Sequence, residues 1–157
     1  EFGMPGTIFI NSFITDILKE LSSRVLSTGF NGVMYSLLED TYLSKKYSSG
    51  EFNIDMLEAL TATCGCGIDM VPLKGDVSSN AISGIILDMI AHSFKLQKPL
   101  GVRLLPVKNL KIDEETDFRH LFFTNTKIKD IGSGVKLQNF PKQNSKYKFL
   151  HKKYKRI

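Results

Sequence analysis

Apolar residues recur at spacings of three and four through Ile14, Ile17, Leu18, Leu21 and Val25. Asn11 or Ser12 can cap this stretch, Asp16 falls in its first turn and Gly29 can end it, which predicts an amphipathic helix. The same spacing in Val33, Met34, Leu37, Leu38 and Tyr42 predicts a second helix, stopping near Ser48-Ser49-Gly50, with Glu39 and Asp40 at its close. A third helix starts at Asn53 as cap and places Ile54, Leu57, Leu60 and Cys64 on one face. Gly65 and Gly67 end it, since each disfavours helix by about 1 kcal/mol. Ile68 to Leu73 reads as a short strand whose Pro72 argues against an interior position. Gly75-Asp76 is a turn. The strongest helix follows, capped by Ser78 or Ser79, with Ala81, Ile82, Ile85, Ile86, Met89, Ile90 and Phe94 on a broad apolar face and Pro99 barring its continuation. Val102 to Val107 is a second strand, interrupted by Pro106. Beyond it come a loop at Asp113 to Asp117, a short apolar stretch at Leu121-Phe122-Phe123, and Ile128 and Ile131 as the last ordered apolar positions.

The order helix, helix, helix, strand, helix, strand indicates an α/β class in which the Ser79–Phe94 helix crosses between parallel strands. Two or three strands are too few for a self-sufficient parallel sheet, which needs cover on both faces. The chain therefore either self-associates as a homo-oligomer or is completed by another polypeptide.

Composition changes this picture little. The 157 residues are 42% hydrophobic and 24% charged, as in ordinary globular domains. No apolar run approaches the ~20 residues of a membrane span, so no membrane role is expected. Glu1-Phe2-Gly3 reads as a cloning scar with Met4 as the natural start, and it lacks the pattern of a signal peptide. The expected organisation is scar and leader over 1–10, an α/β domain over 11–130 and a basic tail over 131–157. Only two cysteines occur, one residue apart, which is no disulfide framework and points to the cytoplasm.

Charge is divided unevenly. Of 21 Lys and Arg, eight lie from Ile131 onward with no Asp or Glu among them; the remaining 13 face 16 carboxylates, a net of −3. Phe140, Tyr147, Phe149 and Tyr154 interleave with the tail's charges, a composition suited to single-stranded nucleic acid or simply to a solvated end.

Candidate chemistry concentrates in Thr63 to Asp76, where two glycines alternate with two thiols before a strand. Cys64, Asp69 and Asp76 are the chemistry-bearing candidates. Gly65, Gly67 and Gly75 would shape the backbone, Lys74 and the helix start at Ser78 would attract a small anionic ligand, and Glu39 could reach the same site. The spacing matches neither a P-loop nor a dinucleotide fingerprint. Each thiol can be a buried hydrophobe, a reactive or redox group, or half of a metal site. The C-terminal end of a helix would raise a thiol pKa, and no second ligand pair accompanies Cys-x-Cys, so no metal is expected. His92, beside the apolar face of its helix, reads as structural. Glycines after a helix and Ser78 before one also suit plain caps. No cofactor and no reaction follow from these residues.

Four collinear segments carry a resemblance: Gly29–Met34, Leu38-Glu39-Asp40, Cys64–Asp76 and Lys98–Val107. They look like the domain-of-unknown-function 711 family, whose loop reads Cys-Gly-Thr-Gly-Leu-Asp-Thr-Val-Pro-Leu-Pro-Gly-Asp. Cys66 stands where the family has Thr, and Lys74 where it has Pro. The family is distantly similar in fold to glycyl-radical enzymes of the pyruvate formate-lyase type. The resemblance thus implies a helix-rich partial α/β barrel with a cavity near Cys64, without implying the radical chemistry. Family chains are much longer, so this one resembles the C-terminal portion, and a separate N-terminal-half subunit is an expected partner.

Overall fold

The computed structural model describes residues 2–28 and 32–134. Its elements are α1 (Thr7–Arg24), α2 (Thr41–Ser49), α3 (Ile54–Leu60), β1 (Gly67–Lys74), α4 (Ser79–Leu96) and β2 (Gly101–Val107). This is the expected α/β mix, with β1 and β2 parallel and α4 crossing between them.

Local chemistry accounts for most boundaries. Asn53 caps α3 by accepting from the Met56 N–H at 3.0 Å, and Ser78 caps α4 by accepting from the Ala81 N–H at 3.1 Å. Gln97 ends α4 in the left-handed region, two residues before Pro99. Ile54, Leu57 and Leu60 are buried as expected, joined by Leu37, Tyr47 and Phe52 on one side and by Ile68, Val71 and Leu73 of β1 on the other. Ile85 and Met89 bring α4 into the same core, whereas Ile86, Ile90 and Phe94 of its predicted apolar face stay exposed.

The second helix is shorter than its pattern predicts. Val33 to Leu38 is not helical; Ser36 forms a parallel bridge with Asp69, the Gly65 N–H donates to the Val33 carbonyl at 2.7 Å, and the Leu37 N–H donates to the Asp69 carbonyl. Backbone pairing with β1 thus replaces helical bonding while Leu37 and Leu38 are fully buried. Asp40 does not close the helix but opens it, its carboxylate accepting from the Leu43 N–H at 2.9 Å.

Pro72, expected to sit at a strand end, lies inside β1 opposite Leu105. The neighbouring Val33–Leu38 segment bridges β1 on its other side, at Asp69. The register Ile68↔Val102 resumes as Val71↔Leu104, so β1 carries one extra residue across from Arg103. This is a β-bulge at Asp69-Met70, and Met70 takes φ +53° within it. Past β2 the chain folds back over α2. Glu115 bridges Lys127, Thr126 Oγ1 donates to the Ser44 carbonyl, and Ile128 is wholly buried.

The first helix departs most from expectation. It starts at Thr7 rather than near Asn11, behind Gly6 in the left-handed region. Its buried residues are Asn11 and Thr15, while Ile10, Ile14, Ile17 and Leu21 are each at least 42% exposed. Asn11 Nδ2 donates to Thr63 Oγ1 and Thr15 Oγ1 to the Thr63 carbonyl, both at 2.7 Å. The polar stripe is docked and the apolar stripe faces outward. The supposed leader also takes part in the fold: Phe2 packs on Tyr35 and Phe52 at centroid distances of 5.3 Å.

Candidate functional site

The bend joining α3 to β1 holds both thiols. Three bonds hold its backbone: the Cys64 N–H donates to the Leu60 carbonyl at 2.9 Å, the Gly65 N–H to Val33, and the Gly101 N–H to the Cys66 carbonyl at 2.6 Å. Gly67 is obligatory there, because its φ of +116° is strained for any side chain and an added Cβ would collide with the Gly101 carbonyl. Cys64 is 2% exposed and Cys66 is half-buried; both are free thiols. The two sulfurs converge on one atom, each 3.8 Å from the Gly67 carbonyl oxygen. Cys64 Sγ also accepts from the Gly67 N–H at 3.2 Å.

This geometry separates the thiols chemically. A hydrogen bond from Cys66 brings the Cys64 thiol down to about 6, against the opposing effect of burial, with help from the Gly67 and Cys66 amides and the charge of Lys98. Cys66 is pushed up, first by that same bond to Cys64 and then by burial and the Asp69 charge. The helix end was expected to raise the Cys64 thiol; the local amides and the second thiol outweigh it. The cation beside the bend is Lys98, not Lys74. Its Nζ donates to the Cys64 carbonyl at 2.8 Å and to the Ala62 carbonyl at 3.2 Å, and burial lowers its pKa.

Asp69, two residues beyond Gly67, is 6% exposed and bound at both oxygens by Arg103, Nη2 to Oδ2 at 2.7 Å and Nε to Oδ1. Arg103 faces the bulge and keeps 54% of its side chain open to solvent, within electrostatic reach of Glu39 and Cys66. Tyr35 flanks the thiols, its hydroxyl pushed up to about 12 by burial and then by Cys64. The bend therefore gathers Cys64, Gly65, Cys66, Gly67, Asp69 and, at its rim, Glu39.

The remaining candidates lie elsewhere. Lys74 ends β1 and Gly75, Asp76 and Ser78 lie past it; with the bulge, β1 spans the length of about six regular steps of about 3.3 Å, which puts the two groups roughly 20 Å apart. Cys64 and Asp76 thus do not share a cleft. Asp76 is exposed and lies 3.8 Å from Lys74 Nζ, and Ser78 uses its hydroxyl as the cap of α4. This end has its own hollow of about 340 Å³, lined by Gly75, Asp76, Lys108, Asn109, Leu110 and Lys111. A Cβ at Gly75 would come within 2.8 Å of the Val107 carbonyl, so Gly75 lets the β1 and β2 ends meet there. His92 is structural in role: Thr61 Oγ1, buried under it, lies 2.9 Å from Nδ1.

Sequence reasoning missed Lys98, Arg103 and Tyr35. Lys98 and Arg103 fall inside the Lys98–Val107 segment that carried the family resemblance, which is the one signal that pointed to them. No cluster of three or more metal-ligating side chains occurs among the described residues. Among these residues, no helix is long and apolar enough to cross a membrane. The basic positions from 135 onward lie outside the described residues.

The sequence profile of an uncharacterised family, "Uncharacterised ACR (DUF711)", matches residues 1–139. The chain is 34% identical over 122 residues to a UPF0210 protein of Pyrobaculum arsenaticum, covering 76% of this chain and 27% of that protein. It is 36% identical over 120 residues to one of Desulforudis audaxviator, covering 74% and 26%. The chain thus spans about a quarter of the length of the curated relatives it matches. No solved structure matches it. The match from residue 1 takes in the stretch holding Phe2, and it extends past Val107, where the four resemblance segments stop. On the profile match and these relatives together, this chain belongs to the uncharacterised DUF711 family.

Proposed function

We propose that this chain works as one part of a larger family assembly, docking the remainder of the family fold on the outward apolar stripe of α1. The observation that carries the reading is the inverted helix: Asn11 and Thr15 inward, Ile10, Ile14, Ile17 and Leu21 outward. Each of these side chains is about half exposed, so leaving it uncovered forgoes on the order of 1 kcal/mol. Two apolar grooves flank the helix, of about 500 and 480 Å³, one lined by Met4, Ile8, Met56 and Leu60 and the other by Phe9, Ile10, Ile14 and Tyr35. The occupant is sequence of the kind that makes up the other three-quarters of the relatives. It would complete the partial α/β barrel that a two-stranded sheet leaves open. Two free thiols suit a reducing, cytoplasmic setting.

The test is to mix the full chain with the segment of the Pyrobaculum arsenaticum relative that it does not match. A one-to-one complex that is lost in Ile14→Lys/Ile17→Lys supports the reading. Failure to form the complex, or self-association through α1 in its place, overturns it.

A specific observation favours a second reading, small anionic ligand binding. The hollow at Gly75 lies outside the carboxyl ends of two parallel strands, where α/β folds favour ligands, with Lys108 and Lys111 in its wall and the start of α4 close by in sequence. Inorganic phosphate titrated by calorimetry should bind wild type at least tenfold more tightly than Lys108→Glu/Lys111→Glu. Equal affinity would remove this reading.

A further inference from the structure

We propose that Cys64 and Cys66 are a redox-active dithiol that closes to an intrachain disulfide on reaction with a hydroperoxide. This inference uses only the bend and stands apart from the docking and anion readings.

Three observations carry it. Both sulfurs approach the same Gly67 oxygen, each at 3.8 Å, so they lie on one side of the bend. Residues 64–66 are all strongly bent, which draws the Cα atoms of Cys64 and Cys66 together, toward the roughly 4.4–6.8 Å a disulfide needs. The pair is also graded in access: Cys66 is half-buried and Cys64 lies behind it, 2% exposed. A reagent little larger than water meets Cys66 first, and a bulky disulfide is excluded from Cys64.

Access sets the order of events, with Cys66 meeting the peroxide first. Cys64, whose thiol is the more acidic, is the base that takes up the Cys66 proton. The Cys66 sulfur attacks one peroxide oxygen; the S–O bond forms, the O–O bond breaks and hydroxide leaves, while the Cys66 proton passes to Cys64. The Cys64 sulfur then attacks the Cys66 sulfenic sulfur. The S–S bond forms, the S–O bond breaks, and the departing hydroxyl takes the Cys64 proton as water. One thiol, one thiolate and hydrogen peroxide become a disulfide, water and hydroxide, with peroxide reduced by the two electrons the sulfurs lose.

The test uses the full chain and equimolar hydrogen peroxide, with peptide mass spectrometry as the readout. The expected product is a peptide spanning residues 64 and 66 that is lighter by two hydrogens, has no alkylatable thiol and returns to its starting mass with dithiothreitol. Cys64→Ser should stop at a dimedone-reactive sulfenic acid on Cys66, while Cys66→Ser should react at least tenfold more slowly. Phenylarsine oxide, which bridges close dithiols, should protect both thiols of unoxidised wild type from alkylation, a check that needs neither variant to fold. Thiols that survive peroxide, that gain oxygen without ever losing two hydrogens, or that cross-link chains instead would overturn the proposal.

Discussion

Arg103 and Asp69 place a charged pair where β1 bulges, with the carboxylate buried and the guanidinium mostly in water. Removing one partner of such a pair strands the other. With Arg103 half in water, Arg103→Met should cost about 1–2 kcal/mol in denaturant unfolding, and adding Asp69→Asn should recover part of that loss. Glu58 offers a different residue-scale test. Burial, followed by repulsion from Asp88 and Asp55, pushes its carboxyl up to about 7. The folded state therefore holds this proton more tightly than the unfolded chain does. The stabilisation is complete below the unfolded value near 4.5 and is lost as pH rises to about 7. Because Glu58 is only half-buried, screening reduces the effect to about 1 kcal/mol. Glu58→Gln should gain that amount at pH 7.5 and flatten stability between pH 4.5 and 7, as read from urea midpoints. None of these partnerships was legible beforehand, since Asp69 and Arg103, or Glu58 and Asp88, meet only through the fold. The cap residues Asn53 and Ser78 were legible because a cap bonds within three residues of itself.

Elements were read well where burial and helical spacing agree, as in α3, whereas α4 matched in extent but left part of its apolar face exposed. Two stretches with equally regular spacing misled, for different reasons. In Val33 to Leu38 the apolar residues serve an extended segment beside β1, because a neighbouring strand offered backbone partners that the sequence does not display. In α1 the helix is present but turned over, since periodicity identifies an apolar face without saying what it meets. The two Thr63 bonds hold α1 in that orientation, each worth about 1 kcal/mol. Asn11→Ala/Thr15→Val should speed amide exchange and proteolysis of α1 while leaving protection of β1 unchanged. Equal loss of protection in both would show that α1 is integral to the core.

For the whole molecule, the α/β class and the crossover were readable from element order. The single converging site was not: Thr63 to Asp76 is continuous in sequence, yet a strand carries its two halves to opposite ends of the sheet. The thiol bend and the lysine hollow answer to different chemistry for that reason. Exposed Ile14, Ile17, Ile86 and Phe94 make the isolated chain adhesive. It should bind anilinonaphthalene sulfonate while keeping a native near-ultraviolet signal, and Ile14→Lys/Ile17→Lys should lower the dye signal by about half without shifting the thermal midpoint of the remainder. A loss of near-ultraviolet signal in the wild type would instead indicate a loosened core. The polar underside of α1 has a calorimetric consequence as well. A helix seated on hydrogen bonds uncovers little oily area when it lifts away, and heat capacity follows oily area. Its release should thus be almost invisible in the heat-capacity baseline, a quiet event below the main melting peak that only site-resolved exchange can time.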